Sequence, residues 1–214
     1  MSKIYQEIFD PERKRIFDEL KVFNDIGYLA GGTALALQLK HRISYDFDIF
    51  VSKAIDNTLR SRINIVFPEA SYSLNTADQI NLRTKENVNI SFVWYYFPLL
   101  NPPIQTESLP LATLEDIAAD KACTIGRRAV WRDYIDIFWL LKTQALDLNT
   151  VIQLAERKFK GEFSSSLFLE QLSYFEDLSI VPIEFYSSNP PPPQEIQVFL
   201  KGEVKNFIYS TLSK

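Results

Sequence analysis

The chain has 214 residues, 46% of them hydrophobic, enough for one or two packed domains. A formal net charge of −4 excludes a global basic field for nucleic acid or anionic membrane, so any such contact must come from a local patch. A single cysteine, Cys123, excludes an internal disulfide and a cysteine-based zinc cluster, and its apolar helical surroundings make it a core residue.

The opening Met-Ser-Lys-Ile-Tyr-Gln-Glu carries no signal-peptide run. The longest apolar stretch, 91–100, falls far short of the roughly 20 residues that span a bilayer, so a soluble cytoplasmic protein is expected. Pro11 opens a predicted helix over 11–25, with Ile16, Phe17, Leu20, Val22 and Phe23 near helical spacing and Gly27 as its stop. Tyr28-Leu29-Ala30 is a short strand leading to Gly31 and Gly32, after which Thr33 is expected to cap a helix with body 34–40. Residues 46–51 alternate strictly, with Phe47, Ile49 and Val51 on one face and Asp46 and Asp48 on the other, which predicts a strand with an apolar underside.

A helix follows over 54–66, its buried stripe formed by Ile55, Leu59, Ile63 and Val66. Strands are predicted near 70–76, 79–84 and 88–97. Pro98, Pro102, Pro103 and Pro110 mark 98–110 as the internal boundary. Thr113 and Asp116 resemble a capping box for a helix reaching about 125, and further helices fit 131–142, 149–159, 164–176 and 195–212. The proline run at 190–193 is a rigid spacer before the last of them. The expected class is therefore α+β: a mixed α/β domain over 1–105 and a helical domain over 106–214.

Two carboxylates at i and i+2 on a strand point the same way with Cα atoms roughly 6.5 Å apart, so Asp46 and Asp48 can share one Mg2+. Taken alone, the pair also fits a solvated edge strand. The upstream Gly31-Gly32-Thr33 turn favours the metal reading, because a glycine-bordered helix start offers N–H groups and a positive dipole end to a phosphate. It is not a Walker A loop, since the Gly-Lys-Ser/Thr ending is absent. His41, Arg42 and Ser44 lie just before the metal strand; Arg42 suits an aspartate or a phosphate, and His41 suits either a helix end or the site.

A second group lies in the helical half: Asp116, Lys121, Arg132, Asp133 and Asp136. Lys121 follows Ile117 by four positions and precedes Ile125 by four, so it falls on a buried stripe. Two readings stand. Lys121 and Asp136 form an ion pair joining two helices, or Lys121 neutralises a triphosphate while Asp136 completes the site floor. Arg127, Arg128 and Arg132 add a short basic patch.

Gly31-Gly32-Thr33-Ala34-Leu35, followed by His41-Arg42-x-Ser44-x-Asp46-x-Asp48-x-Phe50, resembles the opening of the AbiEii/AbiGii toxin family, a branch of the polymerase-β-like nucleotidyltransferases. Leu114-Glu115-Asp116-Ile117-x-x-Asp120-Lys121 and Arg132-Asp133-Tyr134-x-Asp136 narrow the resemblance to that branch. It implies a nucleotidyltransferase fold, a mixed sheet flanked by helices, with a helical C-terminal domain closing over the nucleotide. It also implies a toxin of a type IV toxin–antitoxin or abortive-infection system with a cognate antitoxin, moving NMP from an NTP to an acceptor, in some relatives a tRNA 3′ end. On the matching positions, Asp46 and Asp48 would hold Mg2+ and, with Lys121 and Asp136, form the catalytic set. Gly31, Gly32, Thr33, Arg42, Ser44 and Asp116 would bind the nucleotide.

One departure from the superfamily pattern stands out. The strand at 88–94 offers only Asn89 and Ser91 on its polar face, where many members carry a third carboxylate. The rival readings are accordingly a nucleotidyltransferase for a small-molecule, antibiotic-type acceptor, and a catalytically weakened nucleotide-binding module acting through a protein partner.

Overall fold

Asp10 accepts a hydrogen bond from the Arg13 backbone N–H at 2.8 Å and so caps α1 (Pro11–Glu19), in the computed structural model that describes residues 3–212. The predicted 11–25 helix tightens into a 3-10 turn at Leu20–Phe23, which turns Leu20 and Phe23 into the core. Next come β1 (Gly27–Ala30), α2 (Gly31–Leu39) and β2 (Phe47–Val51), then α3 (Asn57–Val66) and three strands: β3 (Ser71–Asn75), β4 (Gln79–Arg83) and β5 (Asn89–Trp94).

The strands form one five-stranded mixed sheet in the order β1-β2-β5-β4-β3. β2 runs parallel to β5, and every other pairing is antiparallel. The period-two pattern of β2 does what it predicts: Phe47, Ile49 and Val51 are buried, while Asp48 and Phe50 occupy the other face. Phe17 stacks on Phe47 with ring centroids 6.3 Å apart, and Phe23 meets Phe92 edge-on at 5.0 Å, so the α1 segment seals the apolar face. Each such buried ring or aliphatic side chain contributes roughly 1.5–3 kcal/mol.

The chain divides into two compact units, Met1–Thr113 and Leu114–Lys214. The proline-rich stretch ends the regular strands, yet the segment after it returns to β1: Leu29 N–H donates to the Pro110 carbonyl at 2.8 Å, and Ala112 N–H to the Leu29 carbonyl at 2.9 Å. Leu109, Leu111 and Ala112 are buried there, which fastens residues past 105 to the first unit.

The second unit contains the helices α4 (Leu114–Ile125), α5 (Trp131–Lys142), α6 (Leu148–Phe159), α7 (Ser165–Ser173) and α8 (Pro193–Leu212). Packing centres on α4, whose buried Ala118, Ala119 and Ala122 permit close approach by its neighbours α5, α6 and α7. Asp147 and Ser164 cap α6 and α7 through the Thr150 and Leu167 N–H groups, each worth about 1 kcal/mol. Cys123 is buried, and burial pushes its thiol pKa up, as a core cysteine requires.

Candidate active site

Gly31 decides how the chain enters α2. Its φ of +66° lies in the left-handed region, so the helix begins there and not at Thr33. A Cβ on Gly31 would sit 2.6 Å from Asp48 Oδ2, which places the Asp48 carboxylate directly against the turn. A Cβ on Gly32 would collide with Arg42 Nη2 and come within 3.4 Å of Ser44 Oγ. Gly31 is therefore favoured both by its φ and by close approach to the carboxylate, while Gly32 lies against the guanidinium end of Arg42.

The expected Thr33 cap is corrected by the structure. Ala30 is the N-cap residue and no side chain caps the helix. Thr33 is buried, and its hydroxyl reaches both the Ser44 hydroxyl, at 2.8 Å, and the Asp46 carbonyl. A carbonyl can only accept, so Thr33 donates its one proton to Asp46 and Ser44 donates to Thr33. This clamp pins the backbone of Asp46 to the first turn of α2. Arg42 is buried beneath the turn, with Nη1 donating to the Ile43 carbonyl at 3.2 Å, and His41 is buried beside it in sequence.

Asp46 precedes β2 by one residue and is half-buried. Its Oδ1 accepts from Asn89 Nδ2 at 3.0 Å, and Asn89 Oδ1 accepts from Arg83 Nε at 3.1 Å. Strand register sets Asp48 opposite Ser91, Ser91 opposite Asn81, and Asn89 opposite Arg83. Over this polar face opens a cleft of about 530 Å³, lined by Asp46, Asp48, Ser91, Asn81, Asn89, Arg83 and Tyr72 among others. Both sequence-predicted carboxylates thus face one cleft, and one of them touches the glycine turn.

The donor chemistry fits Mg2+, which takes oxygen ligands and typically one or two protein carboxylates, leaving the remaining positions to phosphates and water. The third carboxylate missing from the sequence pattern is missing in space as well: among the described residues no group of three or more His, Cys, Asp or Glu is placed to hold a metal ion.

In the helical unit, Lys121 Nζ lies 2.5 Å from Asp133 Oδ1 and 2.7 Å from Asp136 Oδ2, so the expected Lys121–Asp136 pair joins α4 to α5. Lys158 of α6 escaped the sequence reading. Its fully buried side chain contacts Asp116 Oδ1 at 3.0 Å and Asp120 Oδ1 at 2.8 Å. The signal was present: Lys158 follows Val151 by seven positions and Ala155 by three, on the stripe α6 buries. Asp116 is also fully buried, with its carboxylate engaged by Lys158. Arg128 approaches Asp133 Oδ2 at 3.6 Å from an exposed position. The Tyr134 phenol donates to the Gln171 carbonyl at 3.1 Å; burial, with the Asp133 charge adding to it, pushes its pKa up to about 12.

The family model of the AbiEii nucleotidyl transferase toxin, type IV toxin–antitoxin system, matches residues 79–202. The chain belongs to the AbiEii family. It is a nucleotidyltransferase, and the family generally uses an NTP and a divalent metal. The matched segment covers β4, β5 and the helices through the first half of α8, with Lys121, Asp133, Asp136 and Lys158; Gly31 to Asp48 lie upstream of it. An uncharacterized protein of Aquifex aeolicus is 31% identical over 193 residues, covering 88% of this chain and 91% of that one. The fold resembles the crystal structure of JHP933 from Helicobacter pylori (TM-score 0.58, 19% identity, 98% of this chain and 95% of that one). It also resembles MenT4, a nucleotidyltransferase toxin of Mycobacterium tuberculosis (TM-score 0.61, 16% identity, 89% and 80%). The AbiEii chain therefore carries the nucleotidyltransferase fold, and among its described residues no helix is long and apolar enough to cross a membrane.

Proposed function

We propose that this AbiEii protein transfers NMP from an NTP to the 3′ hydroxyl of an RNA such as tRNA, as the toxin partner of a cognate antitoxin. The observation that carries the reading is the Asp48 carboxylate packed against Gly31, with Asp46 in the same cleft. In the transfer, the acceptor oxygen forms a bond to the α-phosphorus as the bond to the pyrophosphate oxygen breaks. The acceptor proton leaves to solvent, because beside the two aspartates this polar face offers only amides, hydroxyls and Arg83.

Asp46 and Asp48 hold Mg2+, which when bound supplies charge stabilisation at the phosphates. Gly31 and Gly32 present the start of α2 to the triphosphate. Thr33 and Ser44 keep the Asp46 backbone in place, and Arg42 stiffens the turn from below. Lys121 and Asp136 contribute the second catalytic pair, Asp133 and Asp136 together fixing where the ammonium sits. Support for an RNA acceptor is the short basic patch of Arg127, Arg128 and Arg132 in a chain of net charge −4.

The test mixes α-labelled NTPs, Mg2+ and total RNA with wild-type protein and with Asp46→Asn. Label in RNA from the wild type alone supports the reading, and equal labelling removes Asp46 from the mechanism. If an aminoglycoside-type acceptor is labelled while tRNA is not, the small-molecule reading replaces it. The absent third carboxylate favours one further reading, a nucleotide-binding module without turnover. That reading expects NTP binding with no pyrophosphate release from any acceptor.

A further inference from the structure

Arg83, Asn89 and Asp46 form a directed chain whose polarity is fixed by chemistry alone. The Arg83 Nε–H can only donate, so it must face Asn89 Oδ1; an ionised Asp46 can only accept, so it must face Asn89 Nδ2. The amide has one orientation that satisfies both neighbours. Register enforces the arrangement, since Arg83 is directly opposite Asn89 across β4 and β5, while the pairing of Phe47 with Ile90 brings Asp46 alongside Asn89.

We propose that Asn89 is a positioning residue that replaces the third carboxylate of the site and, oriented by Arg83, sets Asp46 for metal before any metal arrives. The proposal rests on the reading of Asp46 and Asp48 as the metal ligands. A carboxylate at 89 would repel Asp46 until a cation came between them. The amide attracts Asp46 instead, and it holds one of its oxygens at 3.0 Å. The cleft is thereby set as a two-aspartate site with its acid held in place by a neutral group.

The experiment titrates Mn2+ alone into the full chain, following unbound Mn2+ by electron paramagnetic resonance, with circular dichroism to show that each variant is folded. Asp48→Asn should abolish the binding shown by the wild type. Asn89→Ala should weaken it about tenfold, the low end for groups that orient metal ligands, because this amide is exposed. Asn89→Gln should restore part of the loss. Arg83→Gln should weaken binding about threefold, and the Arg83→Gln/Asn89→Ala double variant should bind no more weakly than Asn89→Ala, because both act through one chain.

Asn89→Ala with wild-type Mn2+ affinity, while Asp48→Asn binds none, would overturn the proposal and leave the two-aspartate site standing. Losses that multiply in the double variant would overturn the relay from Arg83. Absence of Mn2+ binding by the wild type would remove the site itself.

Discussion

Charge is handled in opposite ways by the two units. In the first, Asp46 and Asp48 are both half-buried over a cleft, on a sheet whose other face is sealed by Phe17, Phe23, Phe47 and Phe92. In the second, Lys121 and Lys158 each hold two aspartates inside a helical core. Charges of the first kind face a cleft and add little to folding; charges of the second kind lie in a helical interior, where removing one partner strands the other in low dielectric.

The sharpest way to break this contrast is to separate activity from stability in the first unit. Asp46→Asn should reduce nucleotidyl transfer on the order of a thousandfold, roughly 4 kcal/mol in transition-state stabilisation, with unfolding free energy changed by no more than about 1 kcal/mol. A parallel fall in melting temperature would show that the aspartate serves the fold.

Lys158→Met is the mirror experiment. It leaves Asp116, fully buried, without its cation, so a loss of about 3–5 kcal/mol is expected in urea unfolding followed by circular dichroism. A loss below about 1 kcal/mol would mean that Asp116 takes up a proton or finds water at little expense.

Gly31→Ala touches both properties at once. The φ of +66° costs a non-glycine residue roughly 1–3 kcal/mol, and the new methyl would push the Asp48 carboxylate off the turn. Thermal denaturation and NTP binding should therefore weaken together; an unchanged nucleotide affinity would separate the turn from the phosphate.

The smallest effect is a pH dependence in the helical unit. Tyr134 has its pKa raised to about 12 against 10 for an ordinary phenol, so its contribution is complete below pH 10 and disappears as pH climbs from 10 to 12. Tyr134→Phe should flatten the stability curve over that window. An equal slope in the two proteins would assign the alkaline loss to other groups.

Local pattern made much of this legible. The alternation in β2 announced both the apolar underside and the shared direction of Asp46 and Asp48, and the 3.6-residue stripe of α5 gave its observed span of Trp131–Lys142. What escaped depends on partners distant in sequence. Thr33 looks like a cap until Ser44 and Asp46 are seen folded back onto it, and Lys158 looks like one more basic residue at a helix end until Asp116 and Asp120 meet it. The return of 104–112 to β1 rests on backbone hydrogen bonds that no side-chain period encodes. Asn89 and Ser91 were visible in the sequence as the polar face that lacks a third carboxylate; the attachment of Asn89 to Asp46 and Arg83 was not.

The most direct measurement is anomalous diffraction at the manganese edge from crystals grown with Mn2+ and a non-hydrolysable NTP. The account predicts manganese in contact with both the Asp46 and Asp48 carboxylates, and the triphosphate seated at Gly31 and Gly32. Manganese bound elsewhere, or touching one aspartate with the phosphates away from the turn, would contradict it.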